Sequence, residues 1–318
     1  MIKQIMKTKM LFALAGLAAL AACKTAKTAQ STKADPLAET LAALQLPAFN
    51  QEGHRGTRGL MPENTIPAMQ KGIEMGANTV EIDVLYSKDR KVVVSHDLYF
   101  NPDITTTPEG KYMEKKDAQQ RFLYNMPYDS IRKYDVGMKP YPAFPEQQRM
   151  PAYKPLLGEL IDSTRAWAKA HGKKFILNIE LKSNEKWDGV TTPPVDEFVD
   201  GVMAVVNDRH FKNECYLQSF DKRPLQLLHK KYPYIVTALL VSGDDKKTFA
   251  QQMDEMGYLP QMYSPHFSLV TPELVSECHQ RGVKLIPWTV NTLEEIRKLK
   301  AMGVDGIITD YPNLFSQL

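Results

Sequence analysis

Two rhythms of apolar and polar positions run along this chain. Short apolar runs, rich in β-branched residues, alternate with longer stretches whose apolar positions return every three or four residues. The first rhythm predicts strands and the second predicts amphipathic helices. Ala48–Glu52 predicts a first strand, and Thr65–Met75 a helix with Asn64-Thr65 at its cap, Pro67 in its first turn and Gly76 at its end. Thr79–Tyr86 predicts a second strand, and Lys91–Ser95 a short extended return after the polar turn Lys88-Asp89-Arg90. A helix over 156–170 then precedes strand–helix pairs at 174–181 and 195–207, 214–219 and 224–231, 235–241 and 246–256, 261–264 and 272–281, and 283–289 and 292–302. Asp305–Thr309 predicts the last strand. Repeated β-then-α units imply a parallel sheet, and eight main strands in this length favour a closed (β/α)8 TIM barrel over an open doubly wound sheet.

Residues 97–155 break the rhythm. They are rich in Pro, Tyr, Asn and Asp, only 114–124 and 128–134 have weak helical character, and the stretch reads as an insertion over the site. The N-terminus breaks it differently. Lys3, Lys7 and Lys9 precede an apolar run from Met10 to Ala22 that is too short to span a bilayer. The run ends in Leu20-Ala21-Ala22-Cys23, which resembles the lipobox of bacterial lipoproteins, where the Cys is lipidated. Residues 1–23 therefore read as a lipoprotein signal peptide and 24–47 as a tether and lead-in, with Lys24–Lys33 a flexible polar stretch. Residues 48–318 read as one barrel domain. On this reading the protein is exported and held to a membrane through Cys23.

Composition then adds little beyond exclusions. The whole chain carries 40 basic and 37 acidic residues, and the three lysines of the signal segment account for the excess. No basic face is implied, so nucleic acid is not an expected partner. Cys215 and Cys278 lie in apolar-patterned segments and read as buried thiols. No Cys-His cluster has zinc spacing, and no GxGxxG or GxxxxGK[ST] follows a strand.

Chemistry concentrates where strands end, the functional face of such a barrel. His54 follows the first strand. Glu81 and Asp83, two apart on the second, share one face, and two carboxylates there call for a neutralising hard cation. His96 follows the short return, and His54 and His96 could accept and donate protons near neutral pH. Asn178-Ile179-Glu180-Leu181-Lys182 puts a second polar pair, Glu180 and Lys182, on one face. Gln218, His266 and Trp288 end or follow later strands, and His266 is the weaker of the rim candidates. His171, His210, His229 and His279 lie on helices or in turns.

His54-Arg55-Gly56, Pro62-Glu63-Asn64-Thr65, Glu81-Ile82-Asp83-Val84, His96-Asp97, Glu180-Leu181-Lys182, Trp288-Thr289-Val290-Asn291 and Asp305–Pro312 occur in the order of the glycerophosphodiester phosphodiesterase family, and from residue 48 to the end the chain resembles it. The resemblance implies a metal-dependent (β/α)8 enzyme that hydrolyses deacylated phospholipids to sn-glycerol 3-phosphate and an alcohol. It implies Glu81, Asp83 and Glu180 as ligands of one divalent cation, Ca²⁺ ahead of Mg²⁺. It implies His54 and His96 as the acid–base pair, and a similar arrangement in bacterial phosphatidylinositol phospholipases suggests His54 as base and His96 as acid. Arg55 and Lys182 would face the phosphate, with Gln218 and Trp288 as pocket walls. Glu63 would orient local loops or hydrogen-bond a catalytic histidine. The chain departs from the pattern at Gly53, where many members have Ala. With polar Gln51-Glu52 before it, the first strand is expected to be frayed. Two alternatives stay open, a phospholipase-like enzyme acting on lysolipid or lipid and a non-catalytic lipoprotein that binds phosphodiesters.

Overall fold

In the computed structural model, which describes residues 36–318, nine strands join one sheet. They are β1 Asn50–Gly53, β2 Thr79–Tyr86, β3 Val92–Val94, β4 Ile176–Leu181, β5 Cys215–Ser219, β6 Thr237–Val241, β7 Met262–Pro265, β8 Lys284–Leu285 and β9 Gly306–Thr309. All except β3 run parallel, in the order β8-β7-β6-β5-β4-β2-β1-β9, and β3 pairs antiparallel with β2 off this path. The last gap closes without a ladder. Asp305 donates its backbone N–H to Leu285 O (2.9 Å), Ile308 to Pro287 O (3.0 Å), and Val290 to Ile308 O (2.9 Å). The eight parallel strands therefore form a closed barrel of the TIM type. The sequence predicts a strand over 283–289, but only Lys284–Leu285 forms regular ladder, because Pro287 has no N–H to contribute. The signal segment with Cys23 and the stretch 24–33 lie outside the described residues.

Helices wrap the ring because their apolar stripes face the strands. Helix 66–74 starts where Thr65 accepts a hydrogen bond from Ala68 N–H and Pro67 occupies the first turn. Helix 249–256 starts with a reciprocal capping box between Thr248 and Gln251. One continuous apolar core fills the space between strands and helices, with Val80, Ile82 and Val84 of β2 among its fully buried members. Cys215 and Cys278 are buried and unpaired, in agreement with their apolar setting. Among the described residues no helix is long and apolar enough to cross a membrane.

Inside the ring a smaller apolar cluster forms the floor, from Ile176, Tyr216, Val236, Ala238, Met262, Ile286 and Ile308. Helix 36–44, which the sequence reading does not anticipate, packs Leu37, Leu41 and Leu44 against that floor. Above it lies a buried polar network. Glu52 accepts hydrogen bonds from Asn178 Nδ2 (2.6 Å), Tyr216 OH (2.6 Å) and Asn50 Nδ2 (2.9 Å). Burial outweighs these donors and pushes the Glu52 carboxyl up to about 7. The first strand is accordingly not frayed. Asn50 and Glu52 point into the barrel, and β1 pairs with both β2 and β9.

The insertion has its own small core, in which Phe100, Met113, Leu123 and Ile131 pack on Leu85 and Val93. Its helices are single turns, Lys115–Ala118 and Tyr128–Ile131.

Candidate active site

Strand register assembles the acidic centre. Asp83 is opposite Glu180, and Glu180 is opposite Gln218, so β2, β4 and β5 present these side chains in one row inside the barrel. Glu81, two residues before Asp83, shares the row's face. Carboxylate oxygens of Glu81, Asp83 and Glu180 all lie within 4.8 Å of one another, and all three side chains are buried. Three such charges out of water oppose one another. Burial, with Asp83 and Glu180 adding to it, drives the Glu81 carboxyl well above its usual range. Burial likewise raises Glu180. Asp83 goes the other way: against its burial, His96, Lys182 and Arg55 hold it ionised.

These residues fit a hard divalent cation. The donors are all oxygen, and Asp83 Oδ1 and Gln218 Oε1 are buried without a hydrogen-bond partner. Gln218 turns its Nε2 toward Glu81 at 3.4 Å, which leaves that Oε1 free for an electropositive neighbour. Lys182 Nζ is 2.8 Å from Glu180 and 3.6 Å from Asp83. The salt bridge that could by itself explain Glu180 is therefore present and sits beside the acidic centre.

Two turns hold the groups around this centre. After β1 the chain reverses through Arg55 at φ 48° and Gly56 at φ 86°. A Cβ on Gly56 would lie 2.6 Å from the Ala68 backbone, and one on Gly53 would lie 2.0 Å from Gly56 O, so both glycines are required by close packing. This accounts for the departure at Gly53. The unusual Arg55 backbone aims its N–H at Glu81 Oε2 (2.8 Å), while its guanidinium reaches Glu63 (2.7 Å) and Asp83 (3.5 Å). Glu63 is buried and also pairs with Arg58 at 2.7 Å. It serves two arginines and hydrogen-bonds no histidine, which narrows its role to orienting the loop. Asn64, also at positive φ, donates to Asp83 Oδ2 (2.8 Å) and accepts from the Asp83 N–H (3.1 Å).

Both candidate histidines face the cavity, and both are held at Nδ1. His54 Nδ1 lies 2.6 Å from Asp310, and His96 Nδ1 lies 2.9 Å from Asp97. Asp310 is itself fixed, by Asn291 Nδ2 at 2.7 Å and by its own N–H bonded to Asn291 Oδ1. Burial lowers the His54 imidazole below its ordinary value, with Asp310 opposing, so His54 is neutral at neutral pH. With its Nδ1–H donated to Asp310, the ring's other nitrogen, Nε2, carries a free lone pair.

The cavity that these residues enclose has a volume of about 230 Å³. Arg55, Arg58, His54 and His96 line its polar side, and Phe220, Leu240, Trp288 and Ile308 its apolar side. Trp288 is tied down by Nε1 to Ser264 O (2.9 Å) and meets Phe220 edge to face. His266 is not in the cavity lining. It packs edge-on against Trp288 and bonds Ser268. A larger cavity, about 490 Å³, lies at the opposite end of the barrel beside helix 36–44. It holds no histidine and no acidic cluster, so the chemistry is at the smaller one.

The profile of the Glycerophosphoryl diester phosphodiesterase family matches residues 54–314. The chain belongs to this family. A glycerophosphodiester phosphodiesterase of Caldanaerobacter subterraneus subsp. tengcongensis is 31% identical over 83% of this chain and 95% of its own length. A crystal structure from Silicibacter pomeroyi, 30% identical, covers 87% of this chain and 97% of its own with a TM-score of 0.76. An Oleispira antarctica phosphodiesterase in complex with the product sn-glycerol 3-phosphate, 23% identical, covers 86% of this chain and 96% of its own with a TM-score of 0.66, a likeness of fold.

Within this glycerophosphodiester phosphodiesterase barrel, the sequence reading places His54, Arg55, Glu81, His96, Glu180, Lys182, Gln218 and Trp288 around one cavity, and the structure brings them together there. It misses three partners, Asp310, Asn291 and Asn64, and reaches Arg58 only through the Thr57-Arg58-Gly59-Leu60 segment, which lengthens the loop toward Pro62 and bears on substrate choice. Asp310 and Asn291 lie in the Asp305–Pro312 and Trp288–Asn291 motifs, but their roles depend on the β8–β9 closure. The pattern offers Asn64-Thr65 as the helix cap, whereas Thr65 alone caps and Asn64 holds Asp83.

Proposed function

We propose that this chain hydrolyses glycerophosphodiesters to sn-glycerol 3-phosphate and an alcohol, with His54 as base and His96 as acid. The observation that carries the proposal is a pair of histidines, each clamped at Nδ1 by a carboxylate, facing one cavity with a carboxylate trio. His54, which burial biases toward the neutral ring, takes a proton at Nε2 from the attacking oxygen, either a water or the glycerol 2-hydroxyl, whose cyclic phosphate a water then opens. His96 gives a proton to the departing alkoxide, and Asp97 orients it. Arg55 and Lys182 offset charge on the phosphoryl oxygens as the new bond forms. Glu81, Asp83 and Glu180 would hold one divalent cation, and that ion, when bound, polarises the phosphodiester. We favour Ca²⁺ over Mg²⁺, because the ligands are flexible acids and an exported protein meets Ca²⁺. We likewise propose export and a lipid anchor at Cys23, on the strength of the basic, apolar and small-residue pattern before it. The cavity suits a small diester, since about 230 Å³ falls below the roughly 300–1,000 Å³ of sites for larger ligands.

The test is turnover of a panel of glycerophosphodiesters by the purified chain with Ca²⁺, Mg²⁺ or chelator. Metal-dependent release of sn-glycerol 3-phosphate is expected. Hydrolysis of lysolipid with no turnover of deacylated diesters would refute the assignment.

A further inference from the structure

Arg58 has no part in the chemistry derived above, yet it lines the same cavity as His54 and Arg55. It pairs with none of the three metal-facing carboxylates. Its carboxylate is Glu63, which it shares with Arg55, whereas Arg55 also reaches Asp83. The insertion fixes where the Arg58 charge sits. Tyr141 OH accepts from Arg58 Nη2 (2.9 Å), the Phe144 ring lies under the guanidinium (4.6 Å), and Gln147 Nε2 donates to the Arg58 carbonyl (2.8 Å). Gln148 N–H bonds Leu60 O at 2.8 Å and pins the same loop again. Among the described residues, the remaining nitrogen, Nη1, makes no hydrogen bond. A guanidinium held this firmly at a cavity wall offers N–H donors in a fixed plane and has no acceptor of its own.

We infer that Arg58, clamped by the insertion segment 141–148, binds the alcohol half of the substrate and selects head groups that present a carboxylate over those whose only charge is an ammonium. The inference rests on the proposed hydrolysis. Arg55 and Lys182 flank the acidic centre and take the phosphate. The neutral glycerol suits the apolar wall of Trp288 and Leu240. The alcohol then falls toward Arg58. A carboxylate there gains charge-assisted hydrogen bonds. Ethanolamine and choline gain none and meet a like charge.

Glycerophosphoserine and glycerophosphoethanolamine differ by one carboxylate, so their relative kcat/KM, measured on the purified full chain with Ca²⁺, reads the contact directly. The wild type is expected to favour the serine diester by about tenfold, the scale of one good charge-assisted bond. Arg58→Met is expected to bring the ratio to within about twofold of unity. Tyr141→Phe keeps the cation but loosens its clamp, and should fall between. If Arg58→Met does not fold, as judged by thermal melting, Tyr141→Phe decides, and a wild-type ratio in it overturns the inference. A wild-type ratio near one, or a ratio unchanged in folded Arg58→Met, also overturns it while leaving the hydrolysis standing. No turnover of any diester would overturn the hydrolysis and the inference with it.

Discussion

Asp310 decides how His54 behaves. At 2.6 Å from Nδ1 and fixed by Asn291, it sets the ring's orientation and its tautomer. Burial lowers His54 and Asp310 raises it, so the sign of a substitution follows. Asp310→Asn should lower kcat by about 10²-fold or more through loss of the correct tautomer. It should also move the acidic limb of the pH–rate profile further down, since the raising influence is gone. A limb that moves up in pH would contradict the assignment of His54 as base. His54→Ala and His96→Ala should each lower kcat by at least about 10²-fold while the fold persists, as circular dichroism will show. Full activity in either would remove the acid–base pair. The histidines and acids were legible in the sequence because strand alternation places i and i+2 on one face. Asp310 and Asn291 were not, because no local pattern tells that β9 closes next to β1.

At the scale of elements, β1 carries a pH-sensitive contribution. Native Glu52 keeps its proton up to about 7, whereas in the unfolded chain it loses it near 4.5. The native state therefore binds more protons between those values, and stability falls as pH rises through that window, by about 3 kcal/mol for this group. Glu52→Gln should flatten that slope, which urea unfolding at pH 5 and pH 8 will measure. An equal slope in both proteins would place the effect elsewhere. Helix 36–44 closes the barrel floor with Leu44, only 4% exposed. Leu44→Ala should cost about 2–5 kcal/mol in the same experiment. The stripe of this helix, Leu37, Leu41 and Leu44 at i, i+4 and i+7, is present in the sequence, but two turns directly after a polar tether are too short to separate it from the lead-in. Its Leu37, Leu41 and Leu44 gain meaning only from the floor they cover. The main strand–helix pairs were legible because each carries its own period and cap, as at Thr65 and Thr248.

For the whole molecule, the acidic centre links metal to folding. Without a cation, Glu81 and Glu180 hold their protons above the usual carboxylate range. Metal binding should therefore release protons into a weakly buffered solution and raise the melting temperature. Chelation should abolish activity, and added Ca²⁺ should restore it. A melting temperature that ignores the metal would argue against Glu81, Asp83 and Glu180 as its ligands. The barrel itself was readable from repetition alone, whereas the function of the insertion was not. Its Tyr141 and Phe144 lie far from Arg58 in the chain and meet it only in the fold.

The shared carboxylate of Glu63 also constrains the order in which this site could change over time. Losing Arg58 first leaves Glu63 still balanced by Arg55, so a lineage could drift toward other head groups by that step and keep its phosphate grip. Losing Glu63 first would leave Arg58 without its carboxylate beside Arg55, which would keep only its longer contact with Asp83. The route through Arg58 is open and the route through Glu63 is closed, although the two side chains touch.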